Sequence, residues 1–516
     1  MIKEIQLSVS PKVSCINELL LQEISKNLQI SLSDITTFQI VKKSIDARQR
    51  DIKVNLRIKV YVGESPSQES TFHPKYDLVS GNRSVIVVGT GPAGLFAALK
   101  LIERGLRPIV LERGKDVSSR KRDIALITRE HTINPESNYC FGEGGAGTFS
   151  DGKLFTRSNK RGNIERILQI LHFHGANSEI LYESHPHIGT DKLPEIIKNI
   201  RKTITDCGGE VHFDSKVSDF IIVDGHIKGV KSSGGVTYES DAIILATGHS
   251  ARDIYELLHK KGILLQSKSF AMGVRVEHPQ AFIDSIQYHC KSRGEYLPAA
   301  SYNLVTQANG RGVYSFCMCP GGYIVPSATS PDEVVVNGMS SSGRHTPYAN
   351  SGIVVEIREE DVPGLNKHGI LAGLFYQQNL EKLAKQNAGK GQQAPAQRLT
   401  DFVSGKISGN LPQSSYTPGL ISSPLHFWLP EHISTRLKIG FKDFNNKIRG
   451  FISSEAYIAG VETRTSSPVR IPRDPETMQH PQVKGLFPCG EGSGYAGGIV
   501  SSAMDGENAA EMVFIQ

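Results

Sequence analysis

Apolar residues recur along the chain with two spacings, one typical of strands and one typical of helices. The segment RDIKVNLRIKVYV alternates apolar and polar residues, and IKEIQLSV does the same at the start of the chain. Between them, apolar residues recur at helical spacing: Ile16, Leu19, Leu20, Ile24 and Leu28. Residues 1–80 are therefore predicted to form a small α+β module. Its end is a polar linker that contains Pro66, Pro74 and Gly81.

A different pattern begins at Arg83. The segment SVIVVGTGPAGLFAALKLIERGLRPIVLERG predicts a buried strand, a glycine turn, a helix and a second buried strand. Helical and strand patterns alternate to about residue 255, which is typical of an α/β fold with a parallel sheet. Residues 256–450 are more irregular, and the polar stretch AKQNAGKGQQAPAQR within them predicts an exposed loop or flexible insert. Residues 451–516 are again compact and rich in glycine.

Composition and charge narrow the class of protein. The 516 residues are 39% hydrophobic, and the net charge of +6 is too weak and dispersed to favour nucleic-acid binding. No apolar run reaches the roughly 18 residues that a membrane span needs, and the first residues lack the apolar core of a signal peptide. Seven scattered cysteines indicate reduced thiols. We therefore expect a cytoplasmic protein without a membrane partner.

The first G-x-G-x-x-G motif, at Gly89, Gly91 and Gly94, has the context of a dinucleotide-binding turn. A buried strand at residues 85–88 precedes it, and a helix begins at its third glycine. Gly89 permits a tight turn, Gly91 lets the backbone approach a pyrophosphate, and Gly94 allows close helix–strand packing. Glu112 ends the next strand, where it can accept hydrogen bonds from the adenosine ribose and would repel the 2′-phosphate of NADP.

A further G-x-G-x-x-G motif lies at Gly492, Gly494 and Gly497, between a short strand at residues 486–489 and a helix. The sequence ends at Gln516, so no second strand with an acidic residue completes a dinucleotide fold. We expect the backbone amides of this turn to face a cofactor ring instead. There they would stabilise negative charge, such as the charge near N1 of a reduced flavin.

Two more segments support a flavin cofactor. The strand in DAIILATGH ends at Ala246, Thr247 and Gly248, and the glycine lets backbone approach a cofactor. A helix, a Gly-Gly turn and a strand ending at Val217 are followed by a predicted β-meander over residues 218–240. The order of these segments follows that of FAD proteins of the glutathione-reductase type.

Over nearly its whole length the chain resembles a family of FAD-dependent dehydrogenases, often labelled NAD(FAD)-utilising dehydrogenases, within the glutathione-reductase-like flavoproteins. The resemblance rests on these motifs: VVGTGPAGLFAAL, FGEGGAGTFSDGKL, HIGTDKL, ILATGHSARD, FCMCPGG, VETRTSSPVRI and GLFPCGEGSGYAGGIVSSAMDG. It implies a Rossmann-type FAD-binding domain in two parts, 81–255 and 451–516. An α+β substrate or cap domain, 256–450, would be inserted between them, and a small α+β domain, 1–80, would precede them.

The resemblance also implies which residues contact a non-covalent FAD. Those expected at the adenine end are Glu112, Arg113 and Val217. Those expected at the pyrophosphate are Gly91, Pro92, Ala93 and Gly94, with Gly248 close by, and Gly89 and Thr247 are also expected to contact the cofactor. Those expected at the isoalloxazine end are Gly490, Glu491, Gly498 and Ile499. NAD(P)H would serve at most as a transient electron donor, since no second complete dinucleotide fold is present.

The segment YCFGEGGAGTFSDGKLF contains a third G-x-G-x-x-G spelling, but no hydrophobic strand leads into it. In similar flavoproteins the glycine-rich stretch after the second strand runs beside the flavin. We therefore place residues 144–153 there. The residues expected to contact the cofactor are Gly144, Gly145, Ser150, Asp151 and Lys153. The alternative is a flexible surface loop, which the strand-like end of the segment disfavours.

Other residues have two interpretations each. Arg464, among short hydroxyl residues, either holds an anionic substrate or the flavin edge, or forms a structural salt bridge. Arg275 and His249 are weaker candidates for the same roles. Cys317 and Cys319 favour packing over a redox dithiol, because alternate residues of a strand share a face. His185 and His187 lack further ligands at metal-binding spacing, and no metal is expected. No general acid or base is identified.

Together these observations predict an FAD-dependent oxidoreductase that transfers hydride at flavin N5 to or from a small molecule, which the sequence does not identify. Two alternatives remain open. One is a flavoprotein that modifies RNA and docks through the basic stripe Lys53, Arg57 and Lys59, although a solvated sheet face explains that stripe better. The other is a flavin-binding sensor without catalytic activity.

Overall fold

The computed structural model describes residues 1–66, 72–81, 83–156 and 162–514. The N-terminal module consists of a three-stranded antiparallel sheet and two helices. Its elements are β1 (Ile2–Val9), α1 (Pro11–Cys15), α2 (Asn17–Leu28), β2 (Ile35–Asp46) and β3 (Lys53–Val62). The predicted strands and helix are confirmed. Residues 67–71 and 82 of the predicted linker lie outside the described residues.

The two faces of β3 explain why its sequence alternates. Val54, Ile58 and Val60 are buried against Leu20 and Ile24 of α2. β3 is the central strand, hydrogen-bonded to β1 on one side and β2 on the other. The opposite face carries the basic stripe. Within it, Arg57 pairs with Glu4 at 3.3 Å and Lys53 pairs with Asp51 at 2.6 Å, so neighbouring carboxylates offset part of its charge.

The next part of the chain alternates helices with short strands. Its elements are β4 (Ser84–Val88), α3 (Pro92–Glu103), β5 (Arg107–Leu111), α4 (Val117–Glu130), α5 (Ile164–Phe173), α6 (Leu193–Asp206), β6 (Glu210–His212), β7 (Val217–Val223), β8 (His226–Ser232), β9 (Thr237–Glu239), β10 (Ile243–Leu245) and α7 (Arg252–Lys260). β7, β8 and β9 form the predicted meander. The boundary predicted at residue 255 falls inside α7.

The middle of the chain is richer in strands. Its elements are β11 (Gln266–Ser267), β12 (Phe270–Pro279), α8 (Gln280–Gln287), β13 (Val305–Ala308), β14 (Arg311–Cys319), β15 (Tyr323–Pro326), β16 (Val336–Met339), β17 (Tyr348–Ile357), α9 (Leu365–His368), α10 (Ala372–Gln386), β18 (Ala394–Arg398), α11 (Leu399–Ser404), β19 (Leu420–Ser422), α12 (Leu425–Trp428) and α13 (Glu431–Lys447). The chain ends with β20 (Tyr457–Glu462), β21 (Val469–Arg470), β22 (Leu486–Pro488) and α14 (Ile499–Met512).

A five-stranded parallel sheet combines strands that are far apart in sequence. Its order is β22, β10, β4, β5 and β6. β22 pairs with β10 through Ile243 opposite Leu486 and Leu245 opposite Pro488, which brings the end of the chain beside its first glycine motif. β10 and β22 are fully buried and β4 is buried except at Ser84, as the apolar runs of these strands predict, whereas the edge strand β6 is only half-buried. The carboxyl ends of β4, β10 and β22 therefore meet at one edge.

A seven-stranded sheet forms the second large layer. Its order is β13, β14, β17, β12, β20, β18 and β19, and the pairs are antiparallel except β18 with β19. Leu437, Phe441 and Phe444 of α13 are fully buried in the core that includes this sheet. β20 hydrogen-bonds between β12 and β18, although the sequence assigned its residues to the C-terminal FAD-binding segment.

The prediction of an exposed loop near residues 384–398 is wrong for its second half. Residues 394–398 form β18, an inner strand of the seven-stranded sheet, and Gln397 is fully buried. The side-chain amide nitrogen of Gln397 donates to the carbonyl of Lys406 at 2.6 Å, and its oxygen accepts from the backbone of His426. Buried glutamine is stable here because its polar atoms are paired, and composition alone does not reveal such pairing.

The two helices that begin at the sheet edge pack directly against each other. A Cβ added at Gly506 of α14 would lie 2.0 Å from the carbonyl oxygen of Ala93 in α3. Only glycine permits this separation. Within the part of the chain that the structure describes, no helix is long and apolar enough to cross a membrane.

We expect Gly506→Ala to lower the free energy of unfolding by about 3 kcal/mol, because the added methyl group collides with backbone. Glycine to alanine within a helix ordinarily raises stability by roughly 0.5–1 kcal/mol, so the sign of the change is diagnostic. Urea denaturation of the purified protein measures it. Gly409→Ala is the control, since a Cβ at this exposed glycine meets nothing within 4 Å. Equal stability of the two variants would contradict the packing.

Candidate functional site

A cavity of about 390 Å³ lies at the carboxyl ends of the parallel strands. It runs between the start of α3 and the start of α14, and both glycine-rich turns contribute to its wall. The wall residues after the strand ends include Gly89, Glu112, Gly248 and Gly490, which follow β4, β5, β10 and β22 respectively. Ligands bind in α/β folds at this edge of the sheet.

The structure brings nearly all of the predicted cofactor residues to this one cavity. Those on its wall are Gly89, Gly91, Pro92, Ala93, Glu112, Arg113, Gly145, Ser150, Asp151, Lys153, Val217, Thr247, Gly248, Arg464, Gly490, Glu491, Gly498 and Ile499. Gly94 and Gly144 stand behind the wall. A Cβ at Gly94 would lie 1.9 Å from the carbonyl oxygen of Gly89, and one at Gly144 would meet the hydroxyl of Thr148. Contact of each residue with the cofactor stays a prediction.

The start of α3 presents free backbone to the cavity. Gly89 has a positive φ of +102°, and a Cβ there would lie 2.5 Å from the carbonyl oxygen of Ala246, so the turn requires glycine. A Cβ at Gly91 meets nothing within 4 Å. No side chain of the described residues caps this helix. Its first amides are therefore available to an anionic group.

The start of α14 has the same character. Gly498, which directly precedes the helix, has a φ of +139°, and no side chain among the described residues caps the helix. Cβ atoms at Gly497 and Gly498 would also meet nothing within 4 Å. Two helix N-termini thus direct positive backbone charge toward one cavity.

Glu112 holds the two glycine-rich segments together. Its buried carboxylate accepts hydrogen bonds from the amide of Thr90 at 3.0 Å and the hydroxyl of Thr90 at 2.5 Å. It also accepts from the amides of Gly114 and Gly142, both at 3.0 Å. These four hydrogen bonds occupy the acceptor positions of the Glu112 carboxylate. A ribose hydroxyl that bonds Glu112 would therefore share an oxygen atom with one of these donors.

The glycine-rich segment at residues 142–153 lies directly on the first glycine motif. The amide of Gly144 donates to the carbonyl of Thr90 at 3.0 Å. A Cβ at Gly145 would lie 3.0 Å from the Cα of Gly91. The G-x-G-x-x-G spelling in this segment therefore serves close packing of two backbones, with no strand before it. This placement is consistent with a loop beside the cofactor.

Arg120 of α4 is a residue that the sequence analysis missed. Its side chain is fully buried and donates to the carbonyls of Asn138, Tyr139, Gly142 and Glu143 at 2.8, 3.0, 3.2 and 2.7 Å. Burial lowers the pKa of its guanidinium to about 10. The same four carbonyls define the turn that presents Gly142 to Glu112. The only sequence signal is an arginine at a position that the helical pattern assigns to the inner face of α4.

Charged side chains surround one end of the cavity. Asp151 is buried and pairs with Arg344 at 2.7 Å and with Lys153 at 3.2 Å. Burial raises the pKa of the carboxyl of Asp151, but the two cations outweigh that effect and lower the pKa to about 2. Asp151 is therefore ionised at neutral pH. It fixes the position of Lys153, which lies beside the sulfur atoms of Cys317 and Cys319.

Arg464 has the structural salt bridge that was one of its two interpretations, and it also lies on the cavity wall. Its guanidinium contacts Glu333 at 2.9 Å and Glu381 at 3.0 Å. Arg252 of α7 binds the same two carboxylates at 3.3 and 2.8 Å. Burial raises the pKa of Glu381, but the two arginines outweigh it and lower that pKa. The four groups form one buried network.

The weaker candidates have separate surroundings. Arg275 is fully buried and pairs with Glu462 at 2.8 Å, away from any solvent. His249 is on the cavity wall, and its buried Nε2 has no hydrogen-bond partner among the described residues. His185 contacts the ring of Phe155, and His187 contacts the carbonyl of Ser342. Within the described ranges, no three metal-ligating side chains cluster.

These features fit a flavin nucleotide. Open space above Gly91, Gly248 and Gly498 leaves room for a ligand against the backbone. The unpartnered Nε2 of His249 offers a polar contact within the same cavity, and the uncapped helices suit phosphate and ring charge.

A protein of Clostridium beijerinckii, described as "Uncharacterized protein", is 41% identical over 532 aligned residues, which cover 99% of this chain and 98% of that protein. This chain belongs to the family of that protein. The family described as "FAD-dependent protein, C-terminal domain-like" matches residues 269–465 of this family member, and "FAD binding domain" matches residues 84–124. A domain of unknown function matches residues 1–61. FAD is the cofactor.

Solved structures similar to this family member include flavoenzymes. The flavin-dependent brominase Bmp2 is 13% identical with a TM-score of 0.36, covering 83% of this chain and 77% of its own. L-proline dehydrogenase from P. horikoshii is 12% identical with a TM-score of 0.32, covering 83% and 92%. Likeness at these scores carries no argument about the reaction.

We expect Arg120→Met to lower the free energy of unfolding by about 3 kcal/mol, because four buried carbonyls lose their donor. FAD should also be retained less well, since the turn they form supports the cavity. Chemical denaturation and the flavin content after gel filtration measure the two effects. Arg122→Met is the matched control, because Arg122 is exposed on the same helix. If both variants matched the wild type, Arg120 would have no such role.

Proposed function

We propose that this protein is an FAD-dependent oxidoreductase that transfers hydride between flavin N5 and a small molecule. The observation that carries the proposal is the single cavity into which the uncapped starts of α3 and α14 both open. One helix start suits the pyrophosphate and the other suits a ring that gains negative charge. The bound flavin supplies the hydride chemistry.

The residues of the chain position the cofactor and tune its charge. Gly91 and Gly248 let backbone lie against the phosphates. The amides at Gly498 and Ile499 stabilise negative charge at the ring, which favours the reduced form. Lys153, held by Asp151, adds a positive charge at the same end of the cavity.

An open cleft of about 810 Å³ adjoins the cofactor cavity near Gly497. This cleft offers a route by which a small molecule enters the cavity. Phe155 and Gly497 line both the cleft and the cofactor cavity. Asn303, Tyr314 and Ser315, on and before β14, also line the cleft. A wall that combines hydroxyl and amide groups with an aromatic ring suits a substrate that has both polar and apolar parts.

We expect Gly91→Ala to weaken FAD binding about tenfold or more, because the added methyl group occupies the space expected for the pyrophosphate. Gly91 has a φ of −65°, which alanine adopts without strain. The stability of the FAD-free protein should therefore stay within about 0.5 kcal/mol of the wild type. Fluorescence titration of the FAD-free protein with FAD gives the dissociation constant.

Gly409→Ala is the matched control and should leave the FAD dissociation constant unchanged. A Gly91→Ala variant that binds FAD as tightly as the wild type would place the pyrophosphate elsewhere.

The visible absorption spectrum, recorded before and after anaerobic addition of NADH or NADPH, tests the reaction. We expect the two visible bands of bound flavin and their bleaching by a nicotinamide. Bands that persist with both nicotinamides would indicate that electrons come directly from a substrate. A colourless protein that does not take up added FAD would contradict the proposal, and a flavin that no donor reduces would favour the sensor.

A further inference from the structure

Two thiols lie together at the end of the cofactor cavity. Cys317 is half-buried and lines the cavity, and Cys319 is fully buried behind it. Their Sγ atoms are 4.0 Å apart, and both cysteines are free thiols. Alternate residues of a regular strand do place their side chains on one face, but a packing role alone would put both sulfurs in the core.

The backbone at this point departs from a regular strand. The pairing of β14 with β17 shifts register between Phe316 and Cys319, which is a β-bulge. Cys317 has a φ of +47°, a left-handed conformation that is rare for residues other than glycine. The buried guanidinium of Arg275 holds this turn by donating to the carbonyl of Cys317 at 2.7 Å. Strained backbone of this kind is concentrated at functional sites.

Positive charge surrounds the two sulfur atoms. The Nζ of Lys153 lies 3.8 Å from the Sγ of Cys317 and 3.7 Å from that of Cys319, and Arg275 lies 3.5 Å from the latter. The hydrogen bond with Cys319 lowers the pKa of the Cys317 thiol well below its usual range, and Lys153 and Arg275 add to that effect. A thiolate in such surroundings is the reactive form of cysteine.

We propose that Cys317 and Cys319 form a redox-active pair that exchanges two electrons with the bound flavin. The inference rests on the proposed function, because the flavin is the electron partner. Forming one bond between the two Sγ atoms releases two electrons and two protons. This matches the uptake of one FAD when it is reduced to FADH₂. The reverse reaction returns the disulfide to two thiols.

The two cysteines have different roles in this pair. Cys317 faces the cavity and is the sulfur that meets the flavin or an incoming thiol. Cys319, buried behind it, completes the disulfide. Lys153 is a positioning residue that stabilises the thiolate, and Asp151 fixes Lys153 in place.

Anaerobic titration of the oxidised holoprotein with dithionite tests the pair. The wild type should take up four electrons per flavin, two for the flavin and two for the disulfide. A Cys317→Ser/Cys319→Ser variant should take up two. Cys290→Ser, which removes another partly buried thiol, is the matched control and should take up four. Uptake of only two electrons by the wild type would overturn the proposal.

A second measurement requires no variant. After denaturation and alkylation of the oxidised holoprotein, mass spectrometry should find Cys317 and Cys319 unmodified and joined, while the exposed Cys15 reacts. After dithionite reduction all three should react. Alkylation of both cysteines in the oxidised protein would overturn the pair.

The two proposals fail in different ways. If a donor reduces the flavin but both cysteines are already thiols in the oxidised holoprotein, the pair is wrong and the oxidoreductase stands. If the disulfide forms but no donor reduces the flavin, the proposed oxidoreductase fails instead.

Discussion

The guanidinium of Arg120 organises the part of the molecule on which the cofactor site depends. Moving a cation out of water is costly, and here the dipoles of four carbonyls replace the lost water. Those carbonyls belong to residues 138–143, where the side chain of Asn138 also accepts from the backbone amides of Cys140 and Phe141. Once they are held, the amide of Gly142 meets Glu112, and Gly145 lies against Gly91. These contacts between the two glycine-rich segments determine the shape of the cavity wall.

The site is assembled from distant parts of the chain. β22 and α14 come from its last thirty or so residues, yet they complete the edge of the parallel sheet beside β10 and pack on α3. The seven-stranded sheet contributes Cys317 and its neighbours from the middle of the chain. No one segment holds a complete cofactor surface, so binding should depend on the whole fold and stabilise it in return.

Local patterns in the sequence predicted what local geometry determines. The alternation of β3, the turn at Gly89 and the presence of a helix after each glycine-rich turn follow from residues close together in the chain, although α3 begins at Pro92, two residues before the predicted start at Gly94. The contacts of Arg120 and the assignment of β20 to the seven-stranded sheet could not be predicted, because they depend on partners far away in sequence. β18 could not be predicted either. Its polar composition is typical of a loop, and the hydrogen-bond partners that allow Gln397 to be buried are not visible in the local sequence. Cys317 lies on the cavity wall at a point where the pairing of β14 with β17 shifts register. The alternation of residues along a strand does not predict such a shift.

The buried network of Arg252, Arg464, Glu333 and Glu381 has a mechanical consequence. Arg252 belongs to the helix that follows the parallel sheet, whereas Glu381 lies on α10 beside the seven-stranded sheet. Moving the two layers apart would separate these buried charges from their partners. The network therefore opposes relative movement of the two layers beside the cofactor cavity.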